Sequence, residues 1–159
     1  MTAEPTLADR TADLLLRTGA RLTRMTSDVL GAQEIALTYR QYRILTRVGE
    51  AGTSSLVELA GFASLTMPTL SESVSVLVRR GLVSRGSNPD DRRHALIELT
   101  PVGSAALAAA SVALRSHALT IIRDFGDEDL AHLRSSLETV FNRVTADIAT
   151  DADPRTDTD

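Results

Sequence analysis

The sequence predicts a mainly α-helical fold of six helices, with a small two-stranded β element between the fourth and fifth. Three observations carry that prediction. Apolar residues recur at three- and four-residue spacing along most of the 159-residue chain, the period of one helix face. Glycines and two Thr-x-Pro or Thr-Pro punctuations divide that pattern into segments. A single stretch, Leu82 to Leu99, changes to short alternating runs on either side of a polar connection.

The first helix is expected over Leu7–Gly31, where Leu7, Leu14, Leu15, Leu22, Met25 and Val29 recur at helical spacing and Gly31 is a stop. Tyr39–Val48 forms a second, ending at the Gly49–Gly52 region, with Tyr42, Leu45 and Val48 inward and Arg40, Arg43 and Arg47 on the other face. Ser54 or Ser55 caps a short third helix carrying Leu56, Leu59 and Ala60 and ending at Gly61. Thr66 caps the fourth, Pro68 sits in its first turn where a missing N–H costs nothing, and Leu70, Val74 and Leu77 follow up to Arg79-Arg80-Gly81. Leu82–Arg85 and His94–Leu99 are strands flanking a charged tip. Thr100-Pro101 opens a fifth helix reaching about Phe125, and the acidic turn Asp127-Glu128-Asp129 opens a last amphipathic one through Ile148. The expected order is α-α-α-α-β-β-α-α.

Composition narrows the function classes. There is no cysteine, so disulfides, thiolate metal sites and thiol nucleophiles are excluded. No uninterrupted apolar run approaches the roughly 18 residues of a membrane span, and the N-terminus has no basic start followed by an apolar stretch; the expectation is a cytoplasmic protein without a membrane partner. Five aromatic residues leave little to stack single-stranded bases on. The net charge of −4 is uneven: residues 124–159 carry −7, whereas 38–100 carry +2, and all 17 cations are arginine. His94, His117 and His132 lie on different elements without the spacing of a metal site. No nucleophile elbow, glycine-rich phosphate loop or HExxH is present, so neither enzyme nor cofactor is expected.

A short helix, a tight turn, a second helix and a hairpin make a helix-turn-helix with a β wing, and a helix fits the major groove of duplex DNA. The residues Leu37-Thr-Tyr-Arg-Gln-Tyr-Arg-Ile-Leu45, Glu58-Leu-Ala60, Thr66-Met-Pro-Thr69, Arg80-Gly-Leu-Val83 and Asp91-Arg-Arg-His-Ala-Leu-Ile-Glu-Leu-Thr-Pro-Val-Gly103 together resemble the MarR family of bacterial transcription regulators, over about residues 7–149. The resemblance implies a homodimer joined through the N- and C-terminal helices, with two winged lobes on successive grooves of a pseudo-palindromic operator. It divides the chain into a disordered 1–6, dimerisation helices 7–36 and 101–149, a DNA-binding lobe 37–100, and a disordered acidic tail 150–159.

Carried over residue by residue, the resemblance makes Arg93 a minor-groove reader oriented by Asp91; the chemistry is sensible because narrow minor grooves attract guanidinium groups. Arg92 is a phosphate contact. Thr66, Pro68, Thr69, Ser71 and Ser73 occupy the start of the reading helix, where hydroxyls meet phosphates or base edges, and Ser54 and Ser55 open the third helix, where free N–H groups can hold a phosphate. Glu72 departs from the family, whose members often have arginine there and another basic residue at the position of Val76. It either accepts from a cytosine or is a solvated or internally paired residue. Many relatives bind a small aromatic or anionic effector between the dimer helices and the DNA lobe, and the corresponding lining here is Arg17, Arg21, Tyr39, Tyr42, Arg43 and His117. The favoured reading is a ligand-responsive repressor of double-stranded DNA; the rival is a winged-helix module that makes protein contacts without specific DNA binding.

Overall fold

The computed structural model describes residues 4–63, 66–87 and 95–151. Along these the elements are α1 (Leu7–Gly31), α2 (Tyr39–Ala51), β1 (Thr53–Ser55), α3 (Leu56–Ala63), α4 (Met67–Arg79), β2 (Val83–Ser87), β3 (Ala95–Leu99), α5 (Pro101–Ile122) and α6 (Asp127–Asp151). Two compact units are distinguished, Met1–His117 and Ala118–Asp159.

Local chemistry explains the boundaries. Two capping boxes set the first two helix starts, Thr6 with Asp9 and Thr38 with Gln41, in which the threonine hydroxyl accepts the N3 amide and the N3 side chain accepts the threonine amide. Asp9 is held below the ordinary carboxylate range by its hydrogen bonds from the Thr6 hydroxyl and amide. α2 ends at Ala51, within the expected Gly49–Gly52 region, where Gly52 takes φ +75°, a conformation open to glycine.

One strand was not foreseen. Thr53–Ser55 pairs antiparallel with β3, Thr53 opposite Glu98 and Ser55 opposite Leu96, giving a three-stranded sheet in the order β1-β3-β2. The wing strands match expectation to within two residues, with Val83 opposite Leu99 and Arg85 opposite Ile97. The hairpin tip, with Asp91, Arg92, Arg93 and His94, lies outside the described residues, as does nearly all of the expected acidic tail.

The core of the first unit is formed by Leu30 of α1, Ile44, Leu45 and Val48 of α2, Leu59 of α3, Leu70, Val74 and Leu77 of α4, Ile97 of β3, and Ala106 and Ala110 of α5, all buried. Each such leucine or isoleucine contributes about 1.5–3 kcal/mol, so α4 is fixed by three residues spaced at its inner face. The joint between sheet and α5 is tight. Thr100 donates its amide to Leu82 O at 3.1 Å and its hydroxyl to Gly81 O at 2.6 Å, while its Oγ1 accepts the Gly103 amide at 2.9 Å.

α1 carries exposed Leu7, Leu14, Leu15, Leu16 and Leu22. In the second unit, α6 begins with the expected acidic turn Asp127, Glu128 and Asp129 and exposes Leu137, Phe141 and Val144. The 22 residues of α5 are long and apolar enough to cross a membrane by length and composition alone. A search for unbroken apolar runs overlooks it, because Ser104, Ser111, Arg115 and Ser116 punctuate an alanine-rich helix whose mean is still apolar. Gly103, Ala106 and Ala110 at its start are buried in the lobe core.

Candidate nucleic-acid interface

α4 presents its N-terminal turn outward. Thr66, Met67, Pro68 and Glu72 are exposed, Thr69 and Ser71 half-buried, while Leu70, Val74 and Leu77 anchor the opposite face. Thr66 is the N-cap by backbone geometry but makes no capping hydrogen bond. Its hydroxyl instead pairs with that of Thr69 at 2.9 Å, so Pro68 in the first turn starts the helix with its donors uncapped by side chains.

Two expected contacts are corrected. Ser73 is buried, 8% exposed, and donates to Thr69 O one turn back at 2.9 Å, which satisfies its hydroxyl inside the lobe. Ser54 is 2% exposed and sits in β1 opposite Ile97, so it does not open a helix. Ser55 does cap α3, yet its donors are already used: its amide and its hydroxyl both donate to Glu58, at 2.7 and 2.9 Å, and its Oγ accepts the Glu58 amide at 3.3 Å. These bonds, the amide first, hold the Glu58 carboxyl below the ordinary glutamate range. The Ser55 amide and hydroxyl thus face a carboxylate of their own helix.

The six residues named for an effector are not brought to one place. Tyr39 and Arg43 line a groove of about 680 Å³ between the start of α2 and the middle of α4, together with Thr38, Arg40, Gln41, Glu72, Ser73 and Val76. Tyr42 is half-buried elsewhere on α2 and shares a hydrogen bond with Ser111 of α5 at 3.3 Å. Arg17 pairs with Asp13 on the exposed face of α1 at 3.4 Å, and Arg21 and His117 are exposed and do not line the groove. Among the described residues, no group of histidine and carboxylate side chains could hold a metal ion.

The groove has a fastener that the sequence reading missed. Arg80, just past α4, donates from Nη2 to Ala36 O at 2.6 Å and from Nη1 to Gln41 Oε1 at 3.0 Å. That same Oε1 accepts the Thr38 amide at 3.0 Å. One side-chain oxygen therefore ties the N-cap of α2 to the end of α4. The Thr38-x-x-Gln41 spacing was a readable capping signal, whereas nothing local to Arg80 points 39 residues back to Gln41.

Residues 37–95 match the family model described as the MarR family. That stretch is similar to a MarR family domain. The match begins at the loop before α2 and runs to the start of β3, so it contains the groove, α4 and β2. An HTH-type transcriptional regulator of Bacillus subtilis, YdcH, is 32% identical over 81 residues, covering 48% of this chain and 55% of that protein. The multiple antibiotic resistance protein MarR of Salmonella typhimurium is 29% identical over 92 residues, covering 58% and 62%. The chain thus matches somewhat over half the length of these relatives. Among solved structures, Streptococcus pneumoniae FabT in complex with DNA aligns over 86% of this chain and 96% of its own at a TM-score of 0.78 and 17% identity, a likeness of fold. It extends beyond residues 37–95 into the helices on either side.

Proposed function

We propose that this chain is a DNA-binding transcriptional regulator that grips a pseudo-palindromic duplex operator as a homodimer, acts as a repressor in the bacterial cytoplasm, and is released by a small aromatic or anionic effector. The observation that carries it is α4 in its MarR family setting. Three buried residues hold its back, Thr66, Pro68, Thr69, Ser71 and Glu72 lie along its N-terminal half with Thr66, Pro68 and Glu72 exposed, and a three-stranded sheet flanks it. In this reading those residues meet phosphates and base edges, Arg93 of the hairpin enters the minor groove oriented by Asp91, and Arg92 meets a phosphate. The exposed leucines of α1 and the apolar residues of α6 are surfaces that a second copy covers. The effector has its support in the groove, which gathers Tyr39 and Arg43 beside the reading helix.

Selection of bound duplexes from random sequence tests the reading. It predicts an enriched two-fold-related motif with half-site centres about one helical turn apart and binding that weakens steeply with salt. A protein-interaction module without specific DNA binding would return no motif.

A further inference from the structure

We propose that the cationic grip on the DNA backbone alongside the reading helix comes from α2, by Arg40 and Arg43, and not from α4 itself. This rests on the DNA-binding reading above. α4 has no cation before its last residue, Arg79, and its exposed middle holds Glu72, a carboxylate that a phosphate repels. Toward phosphates such a helix offers only hydroxyls and its N-terminal amides.

The groove supplies the missing charge. Glu72 and Val76 stand on its α4 wall, Arg40 and Arg43 on its α2 wall. The two arginines are three apart on one helix and share a face, and both residues line the same groove. They outnumber the carboxylate, leaving the charged lining net positive. Guanidinium forks match phosphate oxygens in pairs, and the first turn of α2 adds the positive end of its dipole beside them. The arginines also give Glu72 an opposite charge across the groove, which lets a carboxylate stand next to DNA. Arg80 and Gln41 fix the width of the arrangement, since they tie the start of α2 to the end of α4. An anionic effector seated in the groove competes with the backbone for the same two groups.

The test is the salt dependence of duplex binding by wild type, Arg40→Ala, Arg43→Ala and Arg40→Lys, with Arg123→Ala at the exposed end of α5 as a control and thermal melting to confirm folding. Each alanine variant should flatten the slope of log affinity against log salt by about one and weaken cognate and scrambled duplexes by the same factor. Arg40→Lys should keep the wild-type slope, and Arg123→Ala should match wild type. Unchanged slopes in both alanine variants, or a loss confined to the cognate duplex, overturns the proposal. If an alanine variant melts early, Arg40→Gln and Arg43→Gln, which keep side-chain length, take its place. Wild type that binds no duplex at any salt overturns the DNA-binding reading beneath it, and is thereby told apart.

Discussion

Gly103→Ala should destabilise the protein, against the ordinary effect of that change in a helix. Alanine is favoured over glycine in a helix by about 1 kcal/mol, and Gly61→Ala in α3, where an added Cβ meets nothing within 4 Å, should gain up to that amount. At Gly103 the same Cβ would lie 1.8 Å from Leu82 O and 2.8 Å from Leu82 C. Both atoms are backbone, so no side chain can swing aside. Opening the gap to the 3.0 Å that real Cβ atoms respect separates α5 from the sheet by more than 1 Å and strains the Thr100 bonds to Leu82 O and Gly81 O. Two such bonds contribute about 1 kcal/mol each, and overpacking about 1–3 kcal/mol. The expected net loss is about 2–4 kcal/mol. Denaturant unfolding of wild type, Gly61→Ala and Gly103→Ala at one protein concentration measures it. A Gly103→Ala midpoint equal to or above wild type would refute the close approach and, with it, the claim that Thr100 and Gly103 lock the lobe to α5.

Arg80→Ala should relax discrimination between cognate and scrambled duplexes while leaving the salt slope unchanged, because its guanidinium is spent on Ala36 O and Gln41 Oε1; a flatter slope would make it a phosphate contact instead. Glu72→Ala should raise affinity for all duplexes alike, by a few-fold, since removing the carboxylate unmasks Arg40 and Arg43; a loss confined to the cognate site in binding titrations would show that Glu72 reads a base. Glu58→Gln should weaken protection of the first amides of α3 in hydrogen exchange at neutral pH. The Glu58 carboxyl is held below its ordinary range in the folded protein, so its stabilisation is present above the unfolded-state value and fades as pH falls through the lower folded one. The difference between variant and wild type should therefore vanish in acid, and a difference that persists there contradicts the assignment.

The helices were legible because their signals are local. Leucines at helical spacing with Gly31 bounded α1 correctly, and Thr100-Pro101 marked α5. The third strand was not, since Thr53-Ser54-Ser55 is as good a cap sequence as a strand and only pairing with β3, some forty residues on, decides between them. Ser73 reads as a surface hydroxyl, yet helical geometry hands it the Thr69 carbonyl one turn back, so its polarity no longer forces it outward. Glu58 was visible as an acidic residue in a first turn, but not that it uses up both Ser55 donors. The groove was half visible: Tyr39 and Arg43 were named, while Glu72 as their opposite wall and Arg80 as the fastener depend on the packing of α4 against α2.

The central claim is that two copies of this chain present two copies of α4 to one duplex. Its most direct test is the mass of the complex, by sedimentation or light scattering, on a selected full site and on the same site with one half scrambled. The account predicts two chains per full-site duplex and a loss of affinity of at least a hundredfold when one half is removed, as loss of several specific contacts at about 1–3 kcal/mol each implies. One chain per duplex, or equal affinity for full and half sites, would contradict it.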